Sequence, residues 1–134
     1  MSVFALDSNI VSFYIRQNEH IIKKVGDVLL EGHDVIISPI AYYEVKRGLL
    51  AIKTENRLRE FSALCKILGV GQLDNSVLDH AADIYSELRD KKKVIEDADI
   101  LTAAFCKSHN FILVTHNLRH FENISGLNYC DWEY

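Results

Sequence analysis

Short apolar runs alternate along the chain with stretches whose apolar residues recur at helical spacing. Val3–Leu6 is such a run, and it ends in Asp7-Ser8-Asn9, residue types that cap helices by accepting backbone N–H bonds. Ile10, Val11, Phe13 and Tyr14 then follow at helical spacing, so a strand is predicted to lead into a helix. A second helical pattern over Glu19–Leu30 stops at Gly32, and residues 35–38 are β-branched and apolar enough for the next strand. Pro39, the only proline, suits the first turn of a helix that carries Glu44. Helical patterns over Glu55–Leu68 and from Asn75 onward flank a short apolar piece at 70–73. After the turn Lys91-Lys92-Lys93 come Ile95-Glu96-Asp97-Ala98-Asp99, an apolar helix at 100–106, a strand at 111–114 and a short helix at Leu118–Phe121.

This βα alternation predicts an α/β fold with a mainly parallel central sheet covered on both faces, whose ligands gather beyond the carboxyl ends of the strands. At 134 residues the expectation is one domain over 1–134, without internal repeat or linker. Hydrophobic residues at 49% and charged residues at 25% lie near the globular average and argue against long disorder or low complexity. No apolar run is long enough to cross a bilayer, and Asp7 interrupts the stretch where a signal peptide would continue, which points to a cytoplasmic protein with no membrane partner. Cys65, Cys106 and Cys130 are widely spaced without a CxxC and read as reduced thiols of the core. A net charge of −4 argues against the broad basic surface of a non-specific nucleic-acid coat. A divalent ion held by clustered acids would invert that sign locally.

Four acids are therefore of interest. Asp7 stands at the carboxyl end of the first strand, facing the crevice or simply capping the next helix. Glu44 lies early in the helix after the second strand among Ile40, Ala41, Tyr43 and Val45, an unusual setting for an acid that would otherwise be solvated. Asp97 and Asp99 are separated by about 200° on a continuous helix, so they converge only if Asp97 precedes its first turn; the alternative makes Asp97 the cap alone. Asp99 shares a stripe with Ala103 and Cys106, and a carboxylate buried there is costly unless a cation is shared with Asp7 and Glu44. Carboxylates without His or Cys at zinc spacing favour Mg²⁺ or Mn²⁺, and the natural substrate of such a centre is a phosphate diester. Thr115 and Asn117, at the end of the last long strand, could hold a water or a phosphate oxygen, or serve only as turn and cap residues. His116 and His120 have zinc-like spacing, but the HExxH context is missing.

Other chemistries fit less well. A haloacid-dehalogenase-type phosphatase needs a second Asp where Asn9 stands, a receiver domain needs paired acids and a late lysine, and GVGQLD is an incomplete GxGxxG that follows a helix.

LDSNI at 6–10, YYEVKRGL at 42–49, IEDADILTAAF at 95–105 and LVTHNLRHF at 113–121, with the ending ISGLNYCDWEY, resemble a PIN-domain ribonuclease, and among these the VapC-type toxins of bacterial toxin–antitoxin pairs. The resemblance runs in order through the whole chain. It implies a three-layer α/β/α PIN-like fold and a Mg²⁺- or Mn²⁺-dependent endoribonuclease acting on structured RNA, commonly tRNA. It further implies a homodimer and inhibition by a cognate antitoxin. By the same resemblance Asp7, Glu44 and Asp99 form the acidic triad and Asp97 is an additional ligand. Asn117 occupies the neighbourhood of a fourth acid, with Asn9 and Thr115 as auxiliary groups. Lys46 and Arg47, beside Glu44, are candidates for substrate phosphates or belong to a solvated helix face. A PIN-like module that binds RNA or protein without cleaving it, and a housekeeping PIN nuclease, are the alternatives.

Overall fold

A computed structural model describes residues 1–133. Strands β1 (Val3–Leu6), β2 (Asp34–Ile37), β3 (Ile112–Val114) and β4 (Tyr129–Cys130) form one parallel sheet in the order β2-β1-β3-β4. Leu6 pairs with Ile37 on one side and Val114 on the other, and Val114 pairs with Cys130, so the carboxyl ends finish level. The chain leaves β1 towards β2 and later enters β3 on the other flank of β1. The crevice expected where an open α/β sheet reverses direction therefore falls between β1 and β3.

Among the described residues seven helices cover the sheet: α1 (Ser8–Ile15), α2 (Glu19–Leu30), α3 (Pro39–Ala51), α4 (Glu55–Leu68), α5 (Asn75–Asp90), α6 (Asp97–His109) and α7 (Leu118–Phe121). Strand side chains alternate between two cores. Leu6, Val35, Ile37 and Val114 pack with buried residues of α1 to α4 on one face, whereas Ala5 and Leu113 pack with those of α5, α6 and α7 on the other. The helices meet these cores along stripes at i, i+4 and i+7, as in Ile21, Val25 and Val28 of α2, and Val77, Ala81, Ile84 and Leu88 of α5. Three layers result, as expected from the alternation. Trp132, 5% exposed, closes the first core with its ring 5.3 Å from that of Phe4.

Two boundaries depart from expectation. β4 is only two residues long, too short for any alternation to show, and it exists because β3 offers its free edge. The helix expected from residue 100 begins at Asp97, because Glu96 is extended and its carbonyl starts the helix, leaving Asp97 and Asp99 in the first turn where the positive end of the helix favours acids. The piece at 70–73 contributes a single parallel bridge, Val70 to Ile37. Cys106 is buried and Cys65 and Cys130 are half-buried, all three free thiols. Among the described residues no helix is long and apolar enough to cross a membrane.

Candidate active site

Asp7 follows β1 directly, and only 4% of its surface is exposed. Both of its oxygens are engaged: Oδ1 accepts the Ser8 backbone N–H at 2.8 Å, and Oδ2 accepts the Thr115 hydroxyl at 2.8 Å. It is thus the cap of α1 and a buried crevice acid together, where the sequence had offered these as alternatives. Burial raises its pKa above the ordinary 3.8, and the Asp99 carboxylate adds to the rise, while the bonds from Thr115 and Ser8 and the nearby His120 oppose it.

Asp99 sits in the first turn of α6, half-buried. Burial is also the main cause of its raised pKa; His120 counteracts it, and the carboxylates of Glu96 and Glu44 push it further up. Asp99 thus feels Glu44, from α3, and itself acts on Asp7, just after β1. His120 Nδ1 lies 2.9 Å from Asp99 Oδ2. Three elements therefore bring Asp7, Glu44 and Asp99 into one electrostatic neighbourhood.

Asp97 does not precede the helix. It is the first residue of α6, exposed, and about 200° around the axis from Asp99, so the geometry under which the two would converge is not realised. Nor is it the cap, a position taken by Glu96 without a side-chain cap bond. Glu96 acts on Asp99 together with Glu44, and nothing in the residue pattern distinguishes it beside two aspartates. His120 was overlooked too, because its spacing was tested for zinc rather than for reach towards α6.

The auxiliary residues hold the rim. Asn9 Oδ1 accepts the His116 N–H at 3.2 Å, tying α1 to the turn after β3. Thr115 is buried, and its Oγ1 also accepts the Asn117 N–H at 3.1 Å. Asn117 occupies the cap position of α7 without making a side-chain cap bond, and lines a cavity with His116, Arg119, His120 and Asp131. His116 Nδ1 is 2.8 Å from Asp131 Oδ2, a pairing that brings the C-terminal segment to the rim. Lys46 and Arg47 are exposed on α3 and lie over Tyr42 and Tyr43; Arg47 Nη2 also reaches Glu44 Oε2 at 4.0 Å.

The donor set suits a hard dication by charge and atom type: carboxylate oxygens gathered near a crevice, where Asp99 raises the pKa of Asp7 and Glu44 that of Asp99. Among the described residues no three His, Cys, Asp or Glu side chains already stand close enough to hold an ion between them. One oxygen of Asp99 is engaged by His120 and each oxygen of Asp7 by a hydrogen bond.

Comparison with known proteins agrees with this architecture. The PIN domain family matches residues 4–127. The chain belongs to the PIN-domain family. Relatives that match along almost its full length include proteins named VapC ribonucleases. It is 30% identical to the tRNA(fMet)-specific endonuclease VapC of Salmonella typhimurium over 134 residues, covering 98% of this chain and 99% of that one. It is 25% identical to ribonuclease VapC1 of Haemophilus influenzae over 131 residues, covering 97% and 98%. Among solved structures, DNA-bound VapBC from Salmonella typhimurium superposes with a TM-score of 0.86 at 30% identity, covering 98% of this chain and 99% of that one. VapBC-1 from nontypeable Haemophilus influenzae superposes with a TM-score of 0.84 at 25% identity, with the same coverage.

Proposed function

We propose that the protein is a divalent-metal-dependent endoribonuclease of the VapC type, with Asp7, Glu44 and Asp99 holding Mg²⁺ or Mn²⁺. The observation that carries this reading is the burial of Asp7 at the carboxyl end of β1, 4% exposed, with the Asp99 carboxylate near enough to raise its pKa and Glu44 near enough to act on Asp99. Such a pair is costly by itself and gains most from a cation. When bound, the ion supplies positive charge against which a phosphodiester reacts.

The chain's own residues orient the site. Thr115 fixes the rotamer of Asp7 through its hydroxyl, Asn9 pins the turn carrying His116, and His120 stands against Asp99. RNA as substrate, and tRNA in particular, is supported by the names of the relatives, one of which is a tRNA(fMet)-specific endonuclease. An antitoxin partner is supported by neighbours that are VapBC toxin–antitoxin complexes. A homodimer is part of the same proposal.

The test is cleavage of tRNA and of other RNA by purified protein with Mg²⁺, Mn²⁺ or EDTA, comparing wild type with Asp7→Asn and Asp99→Asn. Metal-dependent cleavage lost in both variants supports the reading. Chelator-resistant cleavage, or full activity in both variants, overturns it, and binding without cleavage by wild type returns the protein to a non-catalytic module.

A further inference from the structure

His120 belongs to α7, a single turn anchored by the buried Phe121 and preceded by Asn117, which makes no side-chain cap bond. Its imidazole reaches across to α6, where Nδ1 lies 2.9 Å from Asp99 Oδ2. Close packing does not put it there: the side chain is 51% exposed, and 6.3 Å separates its ring centre from that of Phe121. The polar partner therefore chooses the rotamer.

On its other side His120 lines a cavity of about 430 Å³ with His116, Asn117, Leu118, Arg119 and Asp131. The ring thus stands between the Asp99 oxygen that it touches and an open space large enough to take it. Exposed side chains change rotamer on fast timescales, so the move requires no displacement of α7. The other proposed ligands are held differently. Asp7 is fixed by Ser8 and Thr115, both close in the fold, and Glu44 meets Arg47 only at 4.0 Å. Asp99 alone is engaged by a half-exposed side chain that can leave. An imidazole N–H and a hard dication seek the same carboxylate lone pairs.

We propose that His120 competes with the dication for Asp99 Oδ2, and that its ring turns into the neighbouring cavity when the ion binds. This rests on the metal-dependent reading and deepens it: a positioning residue that never touches the ion lowers the affinity of the centre below what its carboxylates would give alone. A histidine that instead orients a ligating carboxylate strengthens metal binding, as outer partners of metal ligands commonly do. The two roles predict opposite signs.

Calorimetric Mn²⁺ titration of the full chain, at one pH and matched ionic strength, reads the sign. His120→Leu should bind Mn²⁺ about three- to tenfold more tightly than wild type, the factor expected for releasing one exposed contact to a carboxylate. His120→Gln keeps an N–H donor and should stay within about twofold of wild type. Arg119→Gln removes a full charge from the same turn and should tighten binding less than His120→Leu does, since an exposed charge acts only through screened solvent. In wild type, diethylpyrocarbonate followed by peptide mass spectrometry should label His120 faster in saturating Mg²⁺ than in EDTA, while His109, at the far end of α6, labels equally in both. Unchanged or weaker Mn²⁺ binding in His120→Leu, an equal gain in Arg119→Gln, or labelling of His120 that ignores Mg²⁺ overturns the proposal. The labelling needs only the wild-type chain, so it decides the matter even where His120→Leu fails to fold. Failure of wild type and His120→Leu alike to bind Mn²⁺ overturns the metal reading itself, whereas ordinary wild-type binding without a gain in the variant overturns the competition alone.

Discussion

The Thr115 hydroxyl donates to Asp7 Oδ2 at 2.8 Å, joining the ends of β3 and β1 across 108 residues of sequence. Thr115 Oγ1 in turn accepts the Asn117 N–H at 3.1 Å, so one side chain sets both the buried acid and the turn beyond it. Thr115→Val keeps the shape and removes the donor, leaving a buried carboxylate with one partner fewer. The expected cost is about 1–3 kcal/mol of stability. Because this bond lowers the Asp7 pKa, its loss moves the carboxyl further up, and affinity for Mn²⁺ should fall about 10–100-fold. Thermal melts and calorimetric Mn²⁺ titration measure both effects; an unchanged isotherm would remove Thr115 from the metal centre.

Asp7→Asn should separate stability from activity. In the folded chain burial raises the Asp7 pKa above 3.8, so the native state holds this proton more tightly than the unfolded state does. Stability is therefore lost as pH rises from 3.8 through the folded value, and the whole penalty is present once the carboxyl has ionised. Asparagine cannot ionise, and it can still accept the Ser8 N–H as a cap. In EDTA at neutral pH the variant should melt above wild type, with the gap closing on acidification. Saturating Mg²⁺ should raise the wild-type melting temperature, by about 2.7 kcal/mol of stability at a hundredfold excess over Kd, and leave the variant nearly unmoved. Cleavage should fall at least about 100-fold. Calorimetric scans over a pH series, with and without the ion, decide the matter.

The parts of this site that the sequence reveals are those fixed by short-range rules. Asp7 ends an apolar run and begins a capping cluster, so its place at the mouth of a parallel sheet follows from local pattern. Glu44 is visible as an acid among the largely apolar neighbours Ile40, Ala41, Tyr43 and Val45 of a helix begun by Ser38 and Pro39. What stayed hidden depends on the exact phase of a helix or on contact across the fold. Starting α6 three residues earlier than its apolar pattern suggests turns Asp97 outwards and leaves Glu96 as the neighbour of Asp99. The pairs His120–Asp99 and His116–Asp131 join separate segments, and spacing in the chain carries no trace of either. β4 escaped for a related reason, since two residues hold no period.

Cys106 lies beneath the same site with no exposed surface, and burial followed by the Asp7 charge drives its thiol pKa far up. Its thiolate is thus suppressed on both counts, and the thiol should be inert in the native fold. Iodoacetamide followed by peptide mass spectrometry should modify Cys106 only after denaturation, while Cys65 and Cys130, half-buried, react slowly in the native protein. Native-state modification of Cys106 at the rate of the other two would show that the crevice opens beneath Asp7.

Gly71 behaves oppositely to Gly48. A Cβ at Gly71 would fall 2.2 Å from Phe105 Cζ and 2.5 Å from Cε1, whereas one at Gly48 meets nothing within 4 Å. The Phe105 ring cannot easily yield, being 2% exposed and packed at 5.0 Å from His109 and 5.7 Å from Phe111. The Gly71 backbone is held as well, because its N–H donates to the Ile37 carbonyl at 2.9 Å. Gly71→Ala should therefore destabilise by about 1–3 kcal/mol through overpacking. Gly48→Ala should stabilise by about 0.4–1 kcal/mol by restricting the unfolded chain. Phe105→Leu, costly alone, should recover part of the Gly71→Ala loss in the double variant, since the two side chains compete for one volume. Denaturant melts of the four-protein cycle measure this coupling; strictly additive losses would mean that Gly71 is required for its backbone and not for the ring beside it.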